Sequence, residues 1–497
     1  MPRPAERRLR GRLRLGARTE LAGLDRRTLG LTDVVAQSVA VMAPCAAAAT
    51  VPMLIGQIGG PLIWSVLTAT VLAGLVAWTL GAFASRMAAP GALYTYAAKG
   101  LGPAAGLVAA AATVLGYGSL GMFALSQTAF YGLRVFGIDH PSPVIFCITT
   151  IGIGLCAATV LIRGIRISAR IGLITEAIAV AVLLAVVVVV VIRSRTQLSV
   201  HGVIAAPGGW SDYLGGTAVA TCGLIGFESA ATLSVESKRP LRTIPRAIVW
   251  SLVVGCVVVL FATIAQSAGS VVLQAVSAIG EGDSGELARA IGVAWVAPVA
   301  NLGVCASLLA CALASTTALT RTLLSLAREG VIPARLGATH PRRKTPAVGV
   351  TATMTAMVVV IILAVAGGAS ESTIRGSMVS APAIGFMASY ALVCAAAPRF
   401  LRRTGEPQLG LTIIAIIAAA AATVILIVFV TTNIDTQWAP GVIGALAWFM
   451  LAAIGYGVLR SRRPGQLRRI GIHETPTRTE VFSGHLDPVA VTGGGIG

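Results

Sequence analysis

Twelve stretches of this chain are each long and apolar enough to cross a lipid bilayer. They run approximately over residues 32–56, 61–84, 104–134, 142–162, 170–193, 214–236, 246–269, 293–320, 346–367, 376–397, 409–431 and 438–459. A spanning helix needs about 20 mostly apolar residues. In lipid, the backbone polar groups must be satisfied internally, which leaves only helices and closed barrels. These stretches are continuous runs of Ala, Val, Leu and Ile, not the short alternating strands of a barrel. The expectation is an all-α polytopic membrane protein with twelve transmembrane helices. A soluble multidomain protein is excluded, because 56% of the residues are hydrophobic and only 11% are charged.

The formal net charge is +19 over 497 residues. In a soluble chain this would suggest nucleic acid. Here the positions of the charges say otherwise. With both termini on the cytoplasmic side, 33 of the 38 Lys and Arg residues fall on cytoplasmic segments. Only Arg134, Arg193, Arg195, Arg289 and Arg375 fall opposite. That is the positive-inside pattern, so the charge reports sidedness and no nucleic-acid partner is expected. The juxtamembrane arginines are placed to meet anionic lipid headgroups. Residues 1–30 form a basic cytoplasmic tail with no short apolar region and cleavage site of a secretory leader. Residues 461–497 read as a disordered cytoplasmic tail. The longest loop, about 270–290, is acidic and lies outside.

All eight cysteines sit in apolar stretches with no CxxC pair, so they read as small buried hydrophobes. The five histidines fall in loops or tails. No metal and no cofactor is expected.

Two spans carry helix breakers. In the first, Pro44 sits mid-span within Ala43-Pro44-Cys45-Ala46-Ala47. It removes a backbone donor and clashes with the carbonyl four residues back. An ordinary proline kink with close helix packing explains this span equally well. The sixth span reads Cys222-Gly223-Leu224-Ile225-Gly226-Phe227-Glu228. Its two glycines alone suit a packing face. A carboxylate two residues further on is costly, about 2.5–3.5 kcal/mol at a span centre, and normally faces a cavity or a partner. The two spans are five apart, as in transporters built from inverted repeats with discontinuous helices in corresponding positions. Half-helix amides then receive an anionic group and freed carbonyls a cation. A zwitterionic amino acid or an organic amine suits such a site.

Four segments, in order, resemble the amino acid–polyamine–organocation (APC) permeases. The first two are Gly59-Gly60-Pro61 and the run from Pro90-Gly91-Ala92 to Gly102-Pro103. The third runs from Ile225-Gly226-Phe227-Glu228-Ser229 through Glu236 to Thr243-Ile244-Pro245. The fourth runs from Arg321 through Arg328-Glu329-Gly330 to Thr345-Pro346. The resemblance implies two inverted five-helix repeats (a 5+5 core, residues 31–195 and 196–400) with helices 1 and 6 broken, plus two extra helices over 401–460. It implies secondary active transport by alternating access across the plasma membrane. Substrate would bind between the breaks, lined by Ala43, Pro44, Cys45, Ala46 and Ala47 and by Cys222, Gly223, Leu224, Ile225 and Gly226. Glu228 looks like the family's acidic residue below the site, tied to coupling and gating. Two positions depart from the pattern. Cys45-Ala46-Ala47 stands where relatives commonly carry Gly-small-Gly, and Cys222 stands where some carry a large aromatic gate.

Other residues are weighed alongside. Glu176, about six residues inside the fifth span, either titrates or binds a cation, or is a structural carboxylate paired with Arg166 or Arg170. Ser315, Thr316 and Thr317 are candidate hydroxyl ligands for a cation such as Na+, or plain interhelical glue. Tyr117 and Gln127 in the third span face the pathway or serve packing.

The function expected is proton-coupled symport or exchange of an amino acid or related amine, since a buried carboxylate such as Glu228 is a group that can carry a proton. A major-facilitator carrier also has twelve spans. It would call for a basic Gly-rich second connection and a long central loop, and neither is here. An intramembrane enzyme would need a reactive constellation such as His-Glu-x-x-His, and none appears. A non-transporting sensor or accessory subunit with a permease fold stays open, as does the oligomeric state.

Overall fold

A computed structural model describes residues 23–57, 60–193, 209–267, 296–436, 438–467 and 469–473. Gly59, Arg195, Arg289, the acidic loop at 270–290, the arginines up to Arg18, and Arg468 and Arg478 lie outside the described residues, as do the side chains of Arg166 and Arg193.

The described chain is helical, with one isolated bridge between Leu29 and Ser237. Its helices are α1 (Leu31–Met42), α2 (Pro44–Gln57), α3 (Leu62–Ala84), α4 (Leu93–Leu101), α5 (Pro103–Val135), α6 (Pro143–Arg163), α7 (Ile165–Arg193) and α8 (Trp210–Gly223). They continue with α9 (Pro240–Ser267), α10 (Val296–Arg328), α11 (Ala347–Ala366), α12 (Glu371–Arg403), α13 (Leu409–Asn433), α14 (Ala439–Arg462) and α15 (Pro464–Leu467). A 3-10 helix, Phe227–Leu233, follows α8. Ten helical segments among the described residues are long and apolar enough to cross a bilayer, with α1 and α2 together counting as one. The two remaining expected spans correspond to α7 and to the interrupted run from α8 through the 3-10 helix.

Starts and stops follow local chemistry. Ser142 accepts the Ile145 amide at 3.4 Å ahead of Pro143, and Ser370 accepts the Thr373 amide at 3.2 Å. Both are N-caps that satisfy an otherwise orphaned donor.

The first span is the heart of the bundle and the last is its rim. In the most apolar window of Leu31–Gly56, 83% of residues are buried; in that of Ala439–Arg462, 11% are. The outer helices turn Val71, Trp78, Leu155, Leu363 and Leu451 outward, as apolar solvent permits. Around the first span, α10 packs on α5 and α7, and α12 packs on α5 and α13.

Two described segments outside the long helices, around Leu29 and around Ile472, fold onto the bundle. Thr28 and Leu29 donate their amides to the Glu236 carbonyl at 2.8 and 2.9 Å. Arg27 donates to the carbonyls of Ser234 and Ser237 at 3.4 and 3.3 Å. Beneath them Arg321 of α10 grips Glu236 with two bonds of 3.0 and 3.1 Å, both side chains buried. The sequence suggests a disordered tail from residue 461. Instead α14 runs to Arg462, α15 follows, and Gly471 and Ile472 both donate their amides to Glu329 Oε1 at 2.8 Å. Ile472 joins a small cluster of Leu24, Val235 and Leu324. The apolar Ile470 and Ile472 give this stretch something to bury, which a polar tail lacks. Residues 474–497 lie outside the described residues.

The cysteines are less uniform than their apolar neighbours suggest. Cys45, Cys256, Cys311 and Cys394 are buried, while Cys156 lies on the exposed face of α6.

Candidate functional site

The first break is a single residue. Ala43 sits in the left-handed region at φ 45°, between α1 and α2. Its amide still closes α1 on the Val39 carbonyl at 3.0 Å. Pro44 then opens α2 without an amide hydrogen, a good first helical residue and a bad interior one.

The second break spans Leu224 to Gly226. The Leu224 and Ile225 amides turn back to the carbonyls of Thr221 and Cys222 at 3.1 and 3.3 Å, tightening the end of α8. Gly226 then takes φ 124° and starts the 3-10 helix. Glycine is required there twice over. The conformation excludes a side chain, and a β-carbon would lie 2.7 Å from the Met42 nitrogen. The two breaks therefore touch.

Each break holds a buried glutamate. Glu228 is fully enclosed. Its Oε1 accepts the Tyr117 hydroxyl at 3.0 Å, and its Oε2 accepts the Tyr390 hydroxyl at 2.6 Å and the Gly226 amide at 3.0 Å. Phe386 meets Tyr117 edge-on at 4.9 Å, and Phe227 stacks on Tyr390 at 5.7 Å. Three donors and an apolar wall thus replace water around one carboxyl group. Ser229 and Ser38 join the two broken spans just beyond, with hydroxyls 3.2 Å apart.

Glu176 of α7 reaches the other break. Its Oε1 accepts the Cys45 amide at 3.2 Å and the Ser307 hydroxyl at 3.1 Å. Oε2 is buried without a partner among the described residues. The carboxylate sits at the N-terminus of α2, where the helix dipole favours a negative charge.

Between the breaks lies a cavity of about 170 Å³. Of the residues expected to line it, Ala43, Ala46, Ala47, Cys222, Gly223 and Ile225 do so. Pro44, Cys45, Leu224 and Gly226 stand in the backbone of the breaks, outside the lining. Tyr117 sits apart from the lining, on Glu228. Leu120, Phe123, Leu308 and Cys311 line it as well, with Ser372, Arg375 and Trp438.

The Ser315 and Thr316 hydroxyls of α10 are engaged by nearer neighbours. Thr316 donates to its own helix at Ala312 O, 2.8 Å away, and lies against Met357; Ser315 pairs with Cys311 Sγ at 3.7 Å. Two bonds tie α1 to α10: Cys311 donates to the Val41 carbonyl at 3.2 Å, and Gln37 of α1 donates to Ala314 O at 2.8 Å. Gln127 is buried in α5. Sequence reasoning misses Tyr390, Ser307 and Arg375. Arg375 carries a signal as one of only five basic residues on the sparse side; the other two carry none.

An uncharacterised transporter of Mycobacterium tuberculosis is 27% identical over 394 residues, 79% of this chain and 82% of that protein. The vacuolar cationic amino acid transporter 4 of Arabidopsis thaliana is 27% identical over 319 residues, 58% of this chain and 50% of its own length. The branched-chain amino acid permease BcaP of Bacillus subtilis is 26% identical over 140 residues, 28% of this chain and 30% of its own. The amino acid permease family model matches residues 29–459, which takes in both breaks, both glutamates and the cavity. The chain therefore belongs to the amino acid permease family, within the APC superfamily.

Proposed function

We propose that this protein is a secondary active transporter that moves an amino acid or related organic amine across the plasma membrane by alternating access. On this reading α7 and the interrupted α8 segment complete twelve spans. Residues 31–195 and 196–400 form inverted repeats, helices over 401–460 complete the bundle, and both termini are cytoplasmic. The single observation that carries the reading is the contact of two helix breaks beside a cavity, each break holding a buried glutamate. Non-helical backbone at membrane depth is tolerated where it is enclosed in protein or lines a cavity, and transporters use such breaks for substrate. The cavity is small beside the ~300–1,000 Å³ of drug-sized pockets, which suits a solute of amino-acid size. The printed names of two relatives specify amino acids.

Coupling to protons fits Glu228, a carboxyl group shut from water and bonded across three elements. Purified protein in liposomes is expected to accumulate labelled amino acids when an inward proton gradient is imposed, and Glu228→Gln to lose that accumulation while keeping exchange. Gradient-driven accumulation by Glu228→Gln equal to wild type would remove Glu228 from coupling.

A further inference from the structure

We propose that a groove between α5, α10 and α14 binds one anionic phospholipid, with an acyl chain in the groove and the phosphate on Arg462 and Arg463. The groove shares no residue with the cavity at the two breaks.

The groove exists because α14 is held along its first half and not further on. Gly441 lies directly against Ser377 and Ser380 of α12, with no room for a β-carbon. Two turns later Trp448 donates its ring N–H to the Ala111 carbonyl of α5 at 2.8 Å. Beyond Trp448 the facing residues of α14 are short, Ala452 and Gly455, and a β-carbon on Gly455 would meet nothing within 4 Å. The helices there leave a cavity of about 590 Å³, walled by Ala111 and Val114 of α5, Leu326 of α10 and Leu459 of α14. Protein interiors hold few voids larger than a water molecule, so a gap of this size is room for an occupant. Gly455 and Val458 are exposed, so the gap opens to the surroundings of the bundle. In a bilayer those surroundings are acyl chains.

The polar residues select which lipid. Arg462 and Arg463, at the end of α14, line the same groove. From Trp448 to Arg462 the helix rises about 21 Å, close to half of a bilayer of ~40–45 Å with its headgroups. A chain lying beside Trp448 therefore puts its headgroup at the arginines. No carboxylate among the described residues pairs with either of them, so both guanidinium forks are open to a phosphate, which they can hold in bidentate pairs. Gln466 lines the groove too, and its side-chain oxygen is buried with no hydrogen-bond partner among the described residues. It can accept from a headgroup hydroxyl, which phosphatidylglycerol has and a choline headgroup lacks. A second copy of the chain fits the groove less well. In the same membrane orientation it would bring its own Arg460, Arg462 and Arg463 to the same depth, and like charges repel.

The test is lipid binding to the purified full chain, stripped of lipid in a neutral detergent and followed by native mass spectrometry. The probes are phosphatidylglycerol, phosphatidylcholine with the same acyl chains, and glycerol phosphate, which has the charge without the chains. Wild type is expected to take one phosphatidylglycerol about tenfold more tightly than phosphatidylcholine, and to take no glycerol phosphate at the same concentrations. Arg462→Gln combined with Arg463→Gln should lose that preference while phosphatidylcholine stays within about twofold. Gly455→Phe, which fills the groove, should weaken both lipids about tenfold. Arg239→Gln combined with Arg242→Gln removes the same charge from exposed positions elsewhere and should change neither. Equal binding of the two lipids by wild type overturns the proposal without recourse to any variant. So does a preference that survives loss of Arg462 and Arg463, or one that falls as far on loss of Arg239 and Arg242. Glycerol phosphate bound as tightly as the lipid would make the arginines a site for an anion alone. A dimer that forms without lipid and is lost in Gly455→Phe would give the groove to a second copy.

Discussion

Gly226 and Met42 meet backbone to backbone: a β-carbon on Gly226 would stand 2.7 Å from the Met42 nitrogen and 2.9 Å from the Val41 carbonyl carbon. Neither atom belongs to a flexible side chain, so neither can step aside. Gly226→Ala is expected to cost about 1–3 kcal/mol from the left-handed backbone alone, with an overpacking cost of about 1–3 kcal/mol beside it. The comparison is Gly74→Ala in α3, where nothing lies within 4 Å. There the change should be neutral or stabilising by up to about 1 kcal/mol. Apparent melting temperatures in detergent should separate the two. Equal melting of both variants would mean the breaks do not touch.

The carboxyl group of Glu228 ties three elements together, through Tyr117 on α5, Tyr390 on α12 and its own backbone turn at Gly226. Removing one hydroxyl leaves a buried oxygen short of a donor, at about 1–3 kcal/mol. Tyr390→Phe should cost more than Tyr117→Phe, because its bond is the shorter, 2.6 against 3.0 Å. The double variant should depart from the sum of the singles, since both act on one group. Additive losses in thermal unfolding would show that the two tyrosines act separately.

How legible was this site in the sequence? The breaks were, because each is written in residue types whose backbone demands are local: Pro44 lacks a donor, Gly226 tolerates positive φ, and Glu228 is too costly to leave in an apolar run without partners. The partners were not. Tyr390 lies 162 residues from Glu228 and Ser307 lies 131 from Glu176, and no periodicity reports a meeting across helices. Glu176 was visible as a misplaced charge, but its destination at the start of α2 depends on how α7 crosses the first span. Arg375 was counted as a mark of sidedness, and only the cavity gives it a second meaning. The helices themselves were readable because every apolar span must satisfy its own backbone. The docking of Ile472 was hidden for the opposite reason, as two isoleucines in a polar stretch make no pattern.

The pair of Arg321 and Glu236 is buried, at 3% and 1% exposure. Such pairs offset a heavy desolvation cost only while both partners stay. Arg321→Met or Glu236→Leu alone is expected to destabilise by about 3–5 kcal/mol, leaving an uncompensated charge. Combining them should restore most of the loss. The single variants should also free the segment around Leu29, whose amide bonds to the Glu236 carbonyl; proteolysis of the N-terminal segment reads this directly. A double variant no better than the worse single would show that the pair does more than neutralise itself.

The docked stretch at Gly471 and Ile472 should respond to pH through Glu329. Burial pushes this carboxyl group up to about 7, against the pull of the Ile472 and Gly471 amides and, more weakly, of Tyr94 and Lys99 on α4. His473 is held below its usual range by burial and by the charge of Lys99. Where release exposes Glu329 to water, the cost of its burial is removed and the carboxyl group moves towards the free value of 4.5. The docked form therefore keeps a proton that the released form has lost between pH 4.5 and about 7. That stabilisation is fully present below this window, falls as pH rises through it, and is gone above it. His473 acts in the other direction, weakening docking only as pH falls below 6.5. Above 6.5 the glutamate decides alone. Raising the pH from about 6.5 to about 7.5 should shift the released-to-docked ratio about threefold towards release. Hydrogen exchange at the Gly471 and Ile472 amides, corrected for its intrinsic pH dependence, measures this ratio. Glu329→Gln should flatten the response while keeping an acceptor for both amides. A wild-type profile as flat as that of the variant would place the control of docking elsewhere than Glu329.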